Sequence, residues 1–213
     1  MDADEFLRRW ESLPDLRYAE LIEGVVFLAS PLSNDHSSAQ YGVTGWLFTY
    51  TNRTPGTGGG NELTWVMGAK NVPQPDVHAC ILPECGGQSG LTPEDYGAGA
   101  PELIVEITGS SRSRDLGVKK ELYRSVGVKE YLTVELHPRK ITWRELVRGQ
   151  YRDLVPGTDG IIRSRVFPGL WLRPVDVWNG KIVDALELGL KSPEHAAFVK
   201  LLESRRRARA RRK

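Results

Sequence analysis

Two hydrophobic periods divide the chain into strands and helices. From Pro101 to Thr108 the run Pro-Glu-Leu-Ile-Val-Glu-Ile-Thr is short and almost wholly apolar, which predicts a buried strand. Asp76-Val-His-Ala-Cys-Ile-Leu82, directly after Pro75, predicts another. Between Asp115 and Val126 the period changes. At about 100° per residue, Leu116, Val118, Leu122, Tyr123 and Val126 fall on one stripe with Lys119 near its centre. Lys120, Glu121 and Arg124 point the other way.

The remaining elements follow in order. Residues 1 to 14 predict a short helix with Phe6, Leu7 and Trp10 on one side, ended by Pro14. Tyr18 to Ala29 predicts a hairpin turning at Glu23-Gly24. Glu20 shares a face with Tyr18 and Ile22, as a rim charge or as a further acid beside the other two. Ser33 or Asn34 caps a helix over about Asp35 to Thr51, whose stripe is Ala39, Val43, Trp46, Leu47 and Tyr50 with His36 at the same side. Asn52 to Asn61, rich in Gly, Pro and Thr, predicts a loop, and the stretch from Pro83 to Ala100 predicts the longest irregular segment. Leu63 to Met67, Glu130 to Leu136 and Ile141 to Val147 predict strands, with further short ones near Tyr151, Ile161 and Val166. Ser113, the last residue of the loop Gly109 to Ser113, would cap the Lys119 helix, Phe167 to Leu170 forms a tight turn, and Pro193 starts a terminal helix. Strands and helices mix without strict alternation. The fold class expected is α+β, a central mixed β-sheet flanked by helices.

Composition narrows the class without changing that picture. The 213 residues, 40% hydrophobic and 26% charged, suit one globular domain over residues 1–203. The acidic start lacks the order of a signal peptide, no run reaches membrane-span length, and Cys80 and Cys85 lack the further ligands of a zinc site. Free thiols in a cytoplasmic protein are expected. The net charge of +2 hides an asymmetry, because Arg205, Arg206, Arg207, Arg209, Arg211, Arg212 and Lys213 supply seven of the 29 basic residues. The other 22 face 27 acidic residues, a net −5 for the body. The tail, residues 204–213, fits sequence-independent attraction to phosphates, or else a solvated, partly disordered terminus.

The candidate chemistry lies between Pro75 and Tyr131. A carboxylate such as Glu106 in an apolar strand is costly to bury without a cation or metal. Asp76 opens the neighbouring strand, so the two acids can share one divalent cation, and hard oxygen ligands suit Mg²⁺ or Mn²⁺. Lys119 is aimed at the same region. The competing reading has Asp76 capping a turn and Glu106 paired with Lys119 as a buried salt bridge, with nothing catalysed.

Pro75-Asp76, an acid about thirty residues on, and a following lysine resemble the PD-(D/E)xK nuclease superfamily. Glu20-Leu-Ile-Glu-Gly24, Ser30-Pro31, His36, Pro75-Asp-Val77, Glu106-Ile-Thr108, Asp115 with Lys119 and Tyr123, and Gly127-Val-Lys-Glu-Tyr131 resemble more closely the Uma-two family of restriction endonucleases. The resemblance spans roughly residues 18 to 175. It implies a restriction-endonuclease-like core, metal-dependent hydrolysis of phosphodiester bonds in DNA, and catalytic roles for Asp76, Glu106 and Lys119. It implies the Ile107 carbonyl as a further metal ligand and supporting roles for Glu20, His36, Thr108, Asp115 and Tyr123. Thr108 stands where the commonest superfamily pattern has its lysine, so Lys119 must reach the site from its helix. A homodimer is a further expected partner. The alternatives are an inactive nuclease-fold protein that binds nucleic acid or serves assembly, and a hydrolase of another phosphoester.

Overall fold

The computed structural model describes residues 1–13, 18–28, 31–109 and 115–211. Helix α1 (Ala3–Glu11) precedes the hairpin β1 (Ala19–Ile22) and β2 (Val25–Leu28), and helix α2 (Asn34–Asn52) follows. Strands β3 (Thr57–Asn61), β4 (Trp65–Val66), β5 (Val77–Ile81), β6 (Gly90–Leu91), β7 (Gly97–Ala98) and β8 (Leu103–Thr108) come next. A π turn (Asp115–Lys119) runs into α3 (Lys120–Val126), then β9 (Glu130–Glu135), β10 (Lys140–Val147) and β11 (Gln150–Asp153). The chain closes with β12 (Ile162–Arg163), β13 (Trp171–Leu172), α4 (Pro174–Trp178), α5 (Asp184–Gly189) and α6 (Pro193–Ala210).

The central sheet has six strands in the order β11-β10-β9-β8-β5-β3. Within this sheet, among the described residues, β8 and β9 run parallel and the other neighbouring pairs antiparallel. The fold is α+β with a mixed sheet between helices. Strand alternation sorts the core. Leu103, Val105 and Ile107 pack on one face with Val77 and Ala79, Leu132 and Val134, and with Val43, Trp46, Leu47 and Tyr50 of α2. Ile104 and Tyr131 face the other way, onto Leu122 and Tyr123 of α3 and Ile22 of β1. A third cluster joins α1 to β1 through Phe6 and Leu21.

The hairpin turns where the pattern placed it, with Glu23 and Gly24 both at positive φ (50° and 80°), the twist that two-residue hairpins favour. Three expectations need correction. Asn52 to Asn61 is not all loop: its glycine run forms β3 against β5 at the sheet edge. A Cβ on Gly59 would lie 2.8 Å from the His78 carbonyl oxygen, so the glycine permits a backbone approach that side chains would block. Pro83 to Ala100 holds a 3-10 turn (Pro83–Cys85) and the strands β6 and β7, which pair with β4 in a small sheet. Val166 is not in a strand, because the pairing strands there are β12 and β13. The cap expected from Ser113 lies outside the described residues.

The terminal helix also differs from a disordered tail. It runs to Ala210, carries Arg205, Arg206, Arg207 and Arg209 on exposed positions, and reaches Arg211 at its cap. Arg212 and Lys213 lie outside the described residues. Arg209 Nη1 donates to the Pro83 carbonyl at 2.8 Å, which fixes the helix against the 3-10 turn.

Candidate active site at the end of strand β8

Strand β5 stops pairing with β8 at Val77, which lies opposite Val105. One further step of that register sets Asp76 beside Glu106. There the ladder is continued by a side chain: Asp76 Oδ2 accepts from the Ile107 N–H at 2.6 Å. The N–H and C=O of an extended residue point to the same strand edge, so the Ile107 carbonyl faces the Asp76 side as well. Asp76 is held from behind by α2. Gln40 Nε2 donates to its backbone carbonyl at 3.3 Å, and His36 Nε2 lies 3.5 Å from Oδ1. Ser33 caps α2 by accepting from the His36 N–H, so the capping serine also sets the imidazole beside the acid.

Glu106 points to the opposite face from the α2 core and is 2% exposed. Its Oε1 receives the Lys119 ammonium at 2.6 Å and the Tyr123 hydroxyl at 2.7 Å. Lys119, also 2% exposed, reaches Glu20 Oε1 at 2.9 Å, and that oxygen accepts from the Gln74 N–H at 2.8 Å. Glu20 is therefore not a rim charge. Alternation in β1 sends Leu21 to α1 and turns Glu20 inward to the lysine. Burial and the Glu106 carboxylate push the Tyr123 phenol well above its usual range, so it remains a donor.

Helical phase needs one amendment. The turn before Lys120 is π, so the 100° step applies only from there on, and Val118 is 41% exposed instead of joining the stripe. Lys119, Leu122 and Tyr123, at spacings of three and four, still share the buried side, while Lys120 and Arg124 are partly exposed and Glu121 exposed. Asp115 opens the π turn, and its side chain lies outside the described residues. Thr108 lies on the Glu106 face, buried, and among the described residues its hydroxyl has no hydrogen-bond partner.

Asp76, Glu106, Ile107, Lys119, Tyr123, Glu20 and His36 thus converge at one end of β8. The basic helix does not. It packs on the 3-10 turn after β5, the opposite end of that strand from Asp76. Among the described residues no group of three or more His, Cys, Asp or Glu forms a metal cage. The oxygen set on offer is two carboxylates and a backbone carbonyl, which fits a hard divalent cation that keeps several waters. Sequence reading missed Gln40, a polar residue one turn from His36 on the buried side of α2. It also missed Glu130, whose carboxylate accepts from Ser164, Arg165, Val166 and Trp143.

Among the described residues no helix is long and apolar enough to cross a membrane. No curated protein matches the chain. A crystal structure of "a putative nuclease belonging to DUF820" from Anabaena variabilis shares 18% identity, with a TM-score of 0.66 over 84% of this chain and 98% of that one. At that identity the likeness establishes the fold. The Uma2 family, described as "Putative restriction endonuclease", matches residues 3–176, and the chain belongs to it.

Proposed function

We propose that the chain is a metal-dependent endonuclease that hydrolyses phosphodiester bonds in DNA. The observation that carries this reading is the meeting of Asp76, Glu106 and the Ile107 peptide at one strand end, with the Lys119 ammonium on Glu106. Asp76, Glu106 and the Ile107 carbonyl would hold Mg²⁺ or Mn²⁺. Such an ion supplies Lewis acidity toward the phosphoryl oxygen and lowers the pKa of bound water. Lys119 would stabilise the negative charge that develops on the phosphoryl group. Glu20 and Tyr123 hold Lys119 and Glu106 in register, and His36 sets the Asp76 carboxylate.

Titration of metal-free protein with Mn²⁺ tests the ligand assignment. Uptake is expected in the wild type and is abolished in Glu106→Gln. Unchanged uptake in that variant removes Glu106 from the site.

A second reading has one observation in its favour: Lys119 is buried between two carboxylates, as in a purely structural ion triad. The chain would then be an inactive nuclease-fold module for nucleic-acid binding or assembly. It predicts no metal uptake at Glu106.

The basic helix would supply affinity for DNA without sequence preference. Its seat is about 20 Å from Asp76, taking the length of β5 at about 3.3 Å per residue. Deleting residues 204–213 should weaken DNA binding and flatten its salt dependence, while cleavage at saturating DNA persists. An unaltered salt slope in the truncated protein would assign the helix another purpose. A homodimer would bring two such sites to one duplex, and sedimentation of the chain with and without DNA reads that state.

A further inference from the structure

Helix α2 turns one side into the molecule and leaves the other bare of charge. Its inner side carries Val43, Trp46, Leu47 and Tyr50 to the core, and His36 and Gln40 to Asp76. Its outer side runs Asn34, Ser38, Tyr41, Gly45, Phe48 and Asn52, all exposed, Tyr41 at 85% and Phe48 at 66%. Over its 19 residues α2 has Asp35 and no other Asp, Glu, Lys or Arg. A helix at the surface normally puts charge on its solvent side, as α1 does with Asp4, Glu5, Arg8 and Arg9. Two exposed rings on an uncharged face have the composition of an interface core, where aromatic residues are enriched and charges depleted.

The outer residues recur at alternating steps of four and three, the seam of a two-helix coil. That seam is complementary to a second copy of itself. In an antiparallel pair with its two-fold level with Val43, Tyr41 lies across from the partner's Gly45 and Phe48 across from the partner's Ser38. Each ring thus meets a small residue. A Cβ on Gly45 would meet nothing within 4 Å, so the glycine is a recess open to a ring. Asn34 falls across from the partner's Asn52, amide to amide. Asp35 comes within about 3 Å, two residues' rise, of the level of the partner's Arg53, and both are exposed. Opposite charges are then neighbours at each end of the pair, and the helix dipoles oppose. The four rings cover on the order of 600 Å². That is about half of the roughly 1,200 Å² at which stable interfaces begin, and the rest of a seam about 28 Å long supplies the remainder. A nucleic acid would find no cation on this seam.

We infer that the outer face of α2 is the homodimer interface of this chain, an antiparallel two-fold pairing with α2 of a second copy. This face rests on the homodimer of the proposed function and not on its metal chemistry. The inner side of the same helix holds Asp76 through His36 and Gln40, so the interface braces the candidate site from behind. The two His36 residues stand about 21 Å apart along the pair, and one dimer presents two sites.

Sedimentation velocity of the full chain tests this, beside Phe48→Glu, Gly45→Lys and Leu28→Lys, with circular dichroism as the check on folding. The wild type is expected to run as a dimer. Phe48→Glu should weaken dimerisation at least about thirtyfold, the scale of losing one hot-spot residue. Gly45→Lys fills the recess that receives Tyr41 and should run as a monomer. Its helix content should match the wild type, because lysine favours a helix more than glycine does. Leu28→Lys, on the exposed apolar strand β2, should leave the dimer intact. A wild-type monomer overturns the α2 interface, and Mn²⁺ uptake at Glu106 by that monomer leaves the nuclease reading standing. A dimer that survives both α2 substitutions, or one lost in Leu28→Lys, also overturns it.

Discussion

Lys119→Ala is expected to lower DNA cleavage about a hundredfold or more, the scale of losing one group that stabilises transition-state charge, while Lys120→Ala leaves the rate nearly unchanged. The two lysines are adjacent and chemically identical, so only their surroundings distinguish them. Lys119 is buried on Glu106 and Glu20 at 2.6 and 2.9 Å, whereas Lys120 is partly exposed on the outer side of α3. Removing Lys119 also takes an ammonium from two buried carboxylates, which costs stability. Mn²⁺ affinity and thermal unfolding should therefore be measured beside the rate. A catalytic loss that outlasts correction for folded fraction supports a chemical role. Equal behaviour of the two variants, or greater sensitivity at Lys120, sinks the assignment.

Glu130→Ala is expected to cost about 3 kcal/mol or more, because each buried donor left unsatisfied costs about 1–3 kcal/mol. For a chain of this size that is a fall of roughly 10 °C in the unfolding midpoint. Glu130 is wholly buried and points away from the candidate site, into the face shared with Trp143. Its Oε1 accepts from the Arg165 and Val166 N–H groups at 2.6 and 3.1 Å, and Oε2 from Ser164 at 2.8 Å and Trp143 at 3.1 Å. These bonds tie the segment before β13 to the sheet, and alanine would orphan all four donors. Desolvation pushes the carboxyl up to about 7, against hydrogen bonds that pull it down. The folded state then holds its proton more tightly than the unfolded state. Its contribution to stability is full below the unfolded pKa and is lost as pH rises through about 7. Denaturant titrations from pH 4 to 8 read this directly. Glu130→Gln should remove that part of the slope, and an identical pH profile in the variant would refute the linkage.

The strand and helix order of the core was legible because burial writes itself as a period. Leu103, Val105 and Ile107 alternate with Ile104, Glu106 and Thr108, and a polar residue in such a run stands out. The spacing of Lys119 to Leu122 and Tyr123 carried the lysine to the correct side even though its turn is π. Strand β3 was not legible. A glycine run has no side chains with which to declare a face, and its reason for pairing lies in the close passage of His78. Glu20, Gln40 and Glu130 were ambiguous or missed for a related cause. The partners Asp76, Lys119 and Arg165 lie 35 to 99 residues away and meet them only once the sheet has assembled. Thr108 carried a signal of position alone, and that its hydroxyl finds no partner among the described residues became visible only in three dimensions.

Supercoiled plasmid incubated with the purified chain and Mg²⁺ or Mn²⁺, beside Asp76→Ala and a chelator control, tests the nuclease assignment most directly. The wild type is expected to nick or linearise the plasmid, and both the variant and the chelated sample to leave it intact. Equal cutting by Asp76→Ala, or none by the wild type with either ion, would contradict a metal-dependent endonuclease at this site.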